Sequence, residues 1–152
     1  MSYVRTILIK NFFFELSYSS FDGQSYRLME PSRYSHFRTL GLANYKNQAL
    51  TTGCESGDCG SKTELFNMET QKWSDGPDYP FGRIYMYSIG HSSDAAYIIG
   101  GSYTENVVAE FKEGQWRRLN DLSGPRHRHG SITVGTKTMV VGGDFLSAGS
   151  DE

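Results

Sequence analysis

Short runs of apolar and β-branched residues, each closed by turn-forming residues, occupy most of the chain. Between 85 and 119 there are four such runs, at 85–90, 95–99, 107–111 and 115–119. Polar and glycine clusters at 92–94 and 112–114 separate the first pair and the last pair. Runs of this length, bounded by turn signals, predict four antiparallel strands rather than helices.

Three landmarks recur along the chain in one order. They are an apolar run closed by glycine, an aromatic residue followed by tryptophan, and an arginine after a proline-bearing turn. Their members are Gly53, Gly100-Gly101 and Gly142-Gly143, then Phe66…Trp73 and Phe111…Trp116, then Arg33, Arg83 and Arg126. The last two copies are 42 or 43 positions apart, and the earlier copies 47 or 50. This regularity indicates an internal repeat.

Four antiparallel strands per period of about 45 residues form the blade of a β-propeller. The glycine doublets and the aromatic–tryptophan pairs resemble the kelch-repeat family, whose first strand opens with an arginine. Tyr18 and Tyr26 are candidates for the aromatic and tryptophan positions of a worn earlier copy. The resemblance predicts an all-β, kelch-type β-propeller fragment with two full four-stranded antiparallel blades and two half-blades. The expected bounds are 3–29 for a half-blade, 33–75 and 83–118 for blades, and 126–145 for a half-blade.

The length of 152 residues is short for a closed propeller. Four blades of about 45 residues would need about 180. We therefore expect a part of a larger propeller or a truncated copy. Open blade edges also favour self-association, in which two chains complete each other's half-blades.

Charge and hydropathy narrow the class of partner. The formal net charge is −2, which disfavours a nucleic-acid-binding role. No apolar run approaches the roughly 18 residues that span a bilayer, so membrane insertion is not expected. No secretory leader pattern is recognised at the start, and the sequence leaves open a cytoplasmic or an extracellular location.

The two cysteines, Cys54 and Cys59, lie in the loop after a glycine-closed run. A pair with four residues between them can close a small disulfide loop in an oxidising compartment. In a reducing compartment the same pair would be two free thiols. A zinc site is not expected, because no second ligand pair completes tetrahedral ligation.

No catalytic motif is present in the sequence, and no cofactor or metal is expected. His127 and His129 would point to the same side of a strand, but they lie where a first strand begins. His36 stands three residues after Arg33, as His129 does after Arg126. That spacing fits a repeat position better than a catalytic constellation.

In a propeller, binding residues concentrate on the loops of one face. The expected contact residues are led by Arg83 and Arg126, followed by Arg33, His127, Arg128, Asp78, Tyr79 and Tyr103. Arginine and tyrosine are typical of interaction hot spots. The alternative is that these arginines brace the loops through backbone hydrogen bonds. The kelch resemblance implies a non-catalytic scaffold or adaptor module that binds a peptide or protein partner. The alternative class is a fragment of a kelch-like carbohydrate-active enzyme or of a secreted glycan- or matrix-binding protein.

Overall fold

The computed structural model of the chain describes residues 6–12, 15–21, 23–36, 41–54, 59–102, 106–135 and 137–144. Every regular element in these ranges is a β-strand. The strands are β1 (Thr6–Phe12), β2 (Glu15–Phe21), β3 (Tyr26–Met29), β4 (Ala43–Tyr45), β5 (Gln48–Thr52), β6 (Thr63–Asn67), β7 (Lys72–Asp75), β8 (Ser88–His91), β9 (Ala95–Ile99), β10 (Val108–Lys112), β11 (Gln115–Arg118), β12 (Gly130–Val134) and β13 (Lys137–Val141).

The strands form two complete four-stranded sheets, with one incomplete sheet on either side along the chain. β4 to β7 and β8 to β11 pair antiparallel in chain order, and β12 pairs with β13 alone. The all-β propeller fragment predicted from the sequence is confirmed. We refer to the sheet β4–β7 as blade 1, to β8–β11 as blade 2, and to β12–β13 as the last blade.

The segment 3–29 differs from its expected third and fourth strands, because the structure forms three strands there. The apolar run at 7–9 continues through Lys10 into one strand, β1, and the second run ends before Glu15, where β2 begins. The register places Tyr26 opposite Phe21. Phe21, and not Tyr18, therefore holds the aromatic position that Phe66 and Phe111 hold opposite Trp73 and Trp116.

The first strands of successive blades lie side by side. Ser131 Oγ donates to Ile89 O at 2.6 Å, and His91 N donates to Thr133 Oγ1 at 3.2 Å. These bonds join β8 to β12 across the boundary between blades. The first strands are thus the innermost strands, and the tryptophan-bearing β7 and β11 are the outermost.

Aromatic residues fill the space between the blades. Tyr45 of blade 1 packs edge-on against Phe111 of blade 2, with ring centroids 4.9 Å apart. Trp116 lies against Phe111 and donates its indole N–H to Pro77 O at 3.0 Å. Trp73 donates in the same way to Glu30 O at 2.8 Å. Each tryptophan thus ties the linker that precedes its own blade, because its N–H requires a partner when the ring is partly buried.

The glycines that close the second strands allow close approach of the chain between and within blades. Gly53 has a φ of +72°, and a Cβ there would lie 2.1 Å from Ile84 O of the next blade. Gly143 has a φ of +86°, and a Cβ there would lie 2.6 Å from His127 O. A side chain is excluded at both positions by conformation and by space.

The structure shifts one repeat equivalence by a single residue. The bridges Tyr85↔Ser102 and His127↔Asp144 hold the same place in blade 2 and the last blade. Met86 and Arg128, the residues after Tyr85 and His127, both have positive φ. Arg126 therefore corresponds to Ile84 and not to Arg83. The spacing of 43 between the tryptophans differs from the strand offset of 42 because loop lengths vary between blades.

Candidate interaction face

The predicted contact residues lie where second strands end and the next first strands begin. Backbone hydrogen bonds tie these segments together: Ile84 N donates to Gly60 O at 3.0 Å, Gly101 N to Arg126 O at 2.9 Å, and Arg128 N to Met86 O at 3.0 Å. The bonds connect blade 1 to blade 2 and blade 2 to the last blade. We call the surface formed by 33–36, 59–62, 75–83, 101–102 and 125–129 the loop face.

Two ion pairs mark the part of the loop face that belongs to blade 1. Arg33 Nη1 pairs with Asp75, and both side chains remain about half exposed. Lys62 Nζ lies 2.7 Å from Asp78 Oδ2. The hydrogen bond to Asp78 raises the pKa of the Lys62 ammonium. Asp78 is thus held on the face as one member of an exposed pair.

Arg83 lies against the turn that follows the cysteines. A Cβ at Gly60 would come within 2.6 Å of Arg83 Nε, so the guanidinium stem packs directly on that glycine. The structure joins Cys54 and Cys59 by a disulfide, with their Cα atoms 5.6 Å apart. Both cysteines are buried. The disulfide therefore anchors the turn against which Arg83 packs.

Three further candidates cluster beside the last blade. Arg126 Nη1 donates to Gly142 O at 2.8 Å, which is the loop-bracing contact considered from the sequence. Arg128 Nη1 lies 3.1 Å from Asp144 Oδ2, and both side chains are more than half exposed. His127 Nε2 is 3.6 Å from the same carboxylate, but its side chain is largely buried. Of these three, Arg128 presents the most accessible charge.

His129 is buried at the inner end of this cluster. Burial lowers the pKa of its imidazole, and the positive charge of Arg126 lowers it further. Backbone groups of Ile99 and His127 act in the opposite direction. The imidazole is therefore held in its neutral form, because burial disfavours the charged one.

The structure corrects the expectation for Tyr79. Its ring is only 1% exposed and packs edge-on against Phe81 and Trp116, with centroids 5.3 and 5.1 Å away. It belongs to the core between blades and is not exposed for a partner. A buried aromatic and an exposed one look alike in the sequence, because both follow a turn. Tyr103 lies outside the described residues.

A buried polar cluster was not identified from the sequence. Glu64, fully buried in β6, accepts the backbone N–H of Arg33 at 3.0 Å and of Tyr34 at 3.2 Å. Its Oε2 is 2.8 Å from His36 Nε2, and His36 Nδ1 is 2.9 Å from Gly53 O. The one available signal was a charged residue within the alternating pattern of a strand. The cluster fixes the segment that presents Arg33.

Two further searches of the described residues bear on the site. Within them, no group of three or more His, Cys, Asp or Glu side chains is arranged to hold a metal ion. The same part of the chain contains no helix long and apolar enough to cross a membrane.

Comparison with known proteins supports the kelch repeat. No protein-family model matches the chain. It is 30% identical over 95 residues to Kelch-like protein 41b of Danio rerio, which covers 57% of this chain and 16% of that protein. The solved structure of YjhT, a kelch-type β-propeller, superposes with a TM-score of 0.69 at 16% identity, covering 86% of this chain and 46% of that one. The chain thus spans less than half the length of either protein.

Proposed function

Because the chain is a kelch-repeat β-propeller segment, we propose that it is a non-catalytic interaction module that binds an acidic peptide or protein segment on its loop face. The observation that carries the proposal is the exposure of Arg33 and Arg128. Each guanidinium is accessible at the surface, with only one carboxylate partner, Asp75 or Asp144. A guanidinium has five N–H donors in a planar fork. Donors therefore remain for a carboxylate of a partner.

The geometry changes the order of importance among the arginines. Arg126 holds Gly142 O, and Arg83 packs on Gly60. We propose that these two residues chiefly brace the loops, whereas Arg33 and Arg128 make the partner contacts. Asp78 and its partner Lys62 flank the site and disfavour segments of the wrong charge pattern.

The alternative of a carbohydrate-active enzyme would draw on His127 and His129. Both imidazoles are buried, and the exposed carboxylate of Asp144 lies 3.6 Å from His127. A general acid or base must reach the proton of its substrate. Since neither ring is presented to solvent, we favour binding over catalysis.

The test is selection of random dodecapeptides displayed on phage against the full chain, followed by titration of synthetic copies. We expect the selected peptides to be enriched in Asp and Glu. Their affinity should fall about tenfold or more in the Arg33→Gln/Arg128→Gln variant, since one charge-assisted hydrogen bond contributes about 1.5–3 kcal/mol. Arg117→Gln, which removes an exposed arginine from β11, is the matched control. Peptides without acidic enrichment, or equal loss in the control, would contradict the proposal.

A further inference from the structure

The outer edge of β13 is open in the part of the chain that the structure describes. β13 pairs with β12 on one side only, whereas its counterparts β5 and β9 each carry a third strand on the other side. An unpaired strand edge is a template for another strand. The remaining question is which strand fits this edge, and the two complete blades supply the answer.

Strand register identifies the position on the third strand that matters. Thr51 of β5 lies opposite Glu64, and Ile98 of β9 lies opposite Ala109. Both Thr51 and Ile98 stand two residues before the glycine that ends the second strand. Val140 has the same place before Gly142. The matching residue of an added strand would thus lie opposite Val140.

In each complete blade this residue matches the polarity of a residue that enters the first strand. Blade 1 pairs Glu64 with His36, both buried. Blade 2 pairs Ala109 with Ile84 in one buried apolar cluster. A polar partner thus faces a polar residue, and an apolar partner an apolar one.

The residue that enters the last blade is Arg126. It corresponds to Ile84 through the equivalent bridges Tyr85↔Ser102 and His127↔Asp144. It also makes the contact that His36 makes in blade 1. His36 Nδ1 is 2.9 Å from Gly53 O, and Arg126 Nη1 donates to Gly142 O at 2.8 Å. A cation at this position requires a carboxylate opposite it.

We propose that the outer edge of β13 binds a β-hairpin from outside the described residues, whose first strand places a carboxylate opposite Val140 and beside Arg126. An aromatic residue follows that carboxylate by two positions. This spacing comes from Glu64–Phe66 in β6 and Ala109–Phe111 in β10. The hairpin completes the sheet by strand addition, in which backbone bonds give affinity and the side chain gives specificity.

A second copy of this chain does not supply the required strand. Its β2–β3 hairpin has Phe21 opposite Tyr26, in the place of the aromatic pair. Two positions earlier stands Ser19, which offers a hydroxyl and no charge. The edge is therefore specific for an acidic hairpin and not for self-association through β2.

The chain itself provides the probe. A synthetic peptide of residues 61–75 contains the β6–β7 hairpin with its glutamate, and the matched control carries Glu64→Gln. Titrated against the full chain, the glutamate peptide should bind about tenfold more tightly than the glutamine peptide, as one charge-assisted hydrogen bond implies. A peptide of residues 106–118, with Ala109 at the same position, should bind as weakly as the glutamine form.

Variants of the chain locate the contact. Arg126→Met should abolish the difference between the two peptides, while Arg117→Met and the Arg33→Gln/Arg128→Gln variant should preserve it. The last variant separates this site from the loop face, so that failure of one proposal leaves the other standing. Equal binding of the two peptides, a difference that persists in Arg126→Met, no binding of either, or tighter binding of a peptide of residues 15–29 would overturn the proposal.

Discussion

The buried pair of Glu64 and His36 provides the sharpest test of how the blade is held. Glu64 is fully buried and accepts three hydrogen bonds, from Arg33 N, Tyr34 N and His36 Nε2. Replacing it by alanine leaves these donors without an acceptor in a site closed to water. Each buried donor left unpaired costs about 1–3 kcal/mol, and breaking a buried ion pair from one side costs about 3–5 kcal/mol.

We therefore expect Glu64→Ala to lower the free energy of unfolding by about 3–5 kcal/mol. Glu64→Gln keeps an acceptor oxygen and should lose about 1.5–3 kcal/mol. Typical domains have only about 5–15 kcal/mol in total, so the alanine variant should be close to unfolding. The assay is urea denaturation followed by tryptophan fluorescence, because Trp73 lies on the neighbouring strand.

The control is Asp94→Asn, which removes the carboxylate of an exposed pair with Lys112. Exposed pairs contribute little, and its midpoint should stay at the wild-type value. The slope of the transition should be the same in all variants, since they unfold the same surface. A Glu64→Ala midpoint no lower than that of Asp94→Asn would refute the assignment of Glu64 as a structural acceptor.

Three further predictions concern backbone space, the disulfide and pH. Gly53→Ala should be far more destabilising than Gly114→Ala by thermal unfolding, because both glycines have positive φ but only Gly53 has an atom, Ile84 O, within 2.1 Å of a built Cβ; equal losses would refute the inter-blade contact. Reducing the Cys54–Cys59 disulfide should lower stability by about 2 kcal/mol, as closure of so short a loop implies, and a Cys54→Ser/Cys59→Ser variant should show no response to reductant. Because the folded pKa of His129 lies below its unfolded value of about 6.5, stability should be full above that pH and fall below it by at most about 1.4 kcal/mol per pH unit. His129→Gln should flatten this dependence, whereas a variant of the exposed His91 should not; an unchanged slope in His129→Gln would contradict the burial argument.

The fold followed from the sequence because its determinants are local and repeated. The turn clusters at 92–94 and 112–114 lie at the ends of β8, β9, β10 and β11, and the predicted runs differ from the observed strands by at most three residues. The glycine doublets mark second-strand ends through their positive φ. These features depend on a few adjacent residues, which the sequence displays directly.

The site was less predictable because its properties depend on contacts between blades. Tyr79 follows a turn as an exposed residue would, yet it packs on Trp116 of the next blade. Glu64 lies in a strand as a solvated residue would, yet His36, far away in sequence, reaches it. Likewise, the correspondence of Arg126 with Ile84 depends on strand register, since loop lengths shift the tryptophan spacing by one residue.

The central claim is that acidic segments bind at Arg33 and Arg128 on the loop face. The most direct measurement is a ¹H–¹⁵N NMR titration of the full chain with a selected acidic peptide. The account predicts amide shifts concentrated at 33–36, 75–78, 126–129 and Asp144, reduced at high salt because exposed charges are screened. Shifts confined to the outer strands β7 and β11, or unchanged by the Arg33→Gln/Arg128→Gln variant, would contradict it.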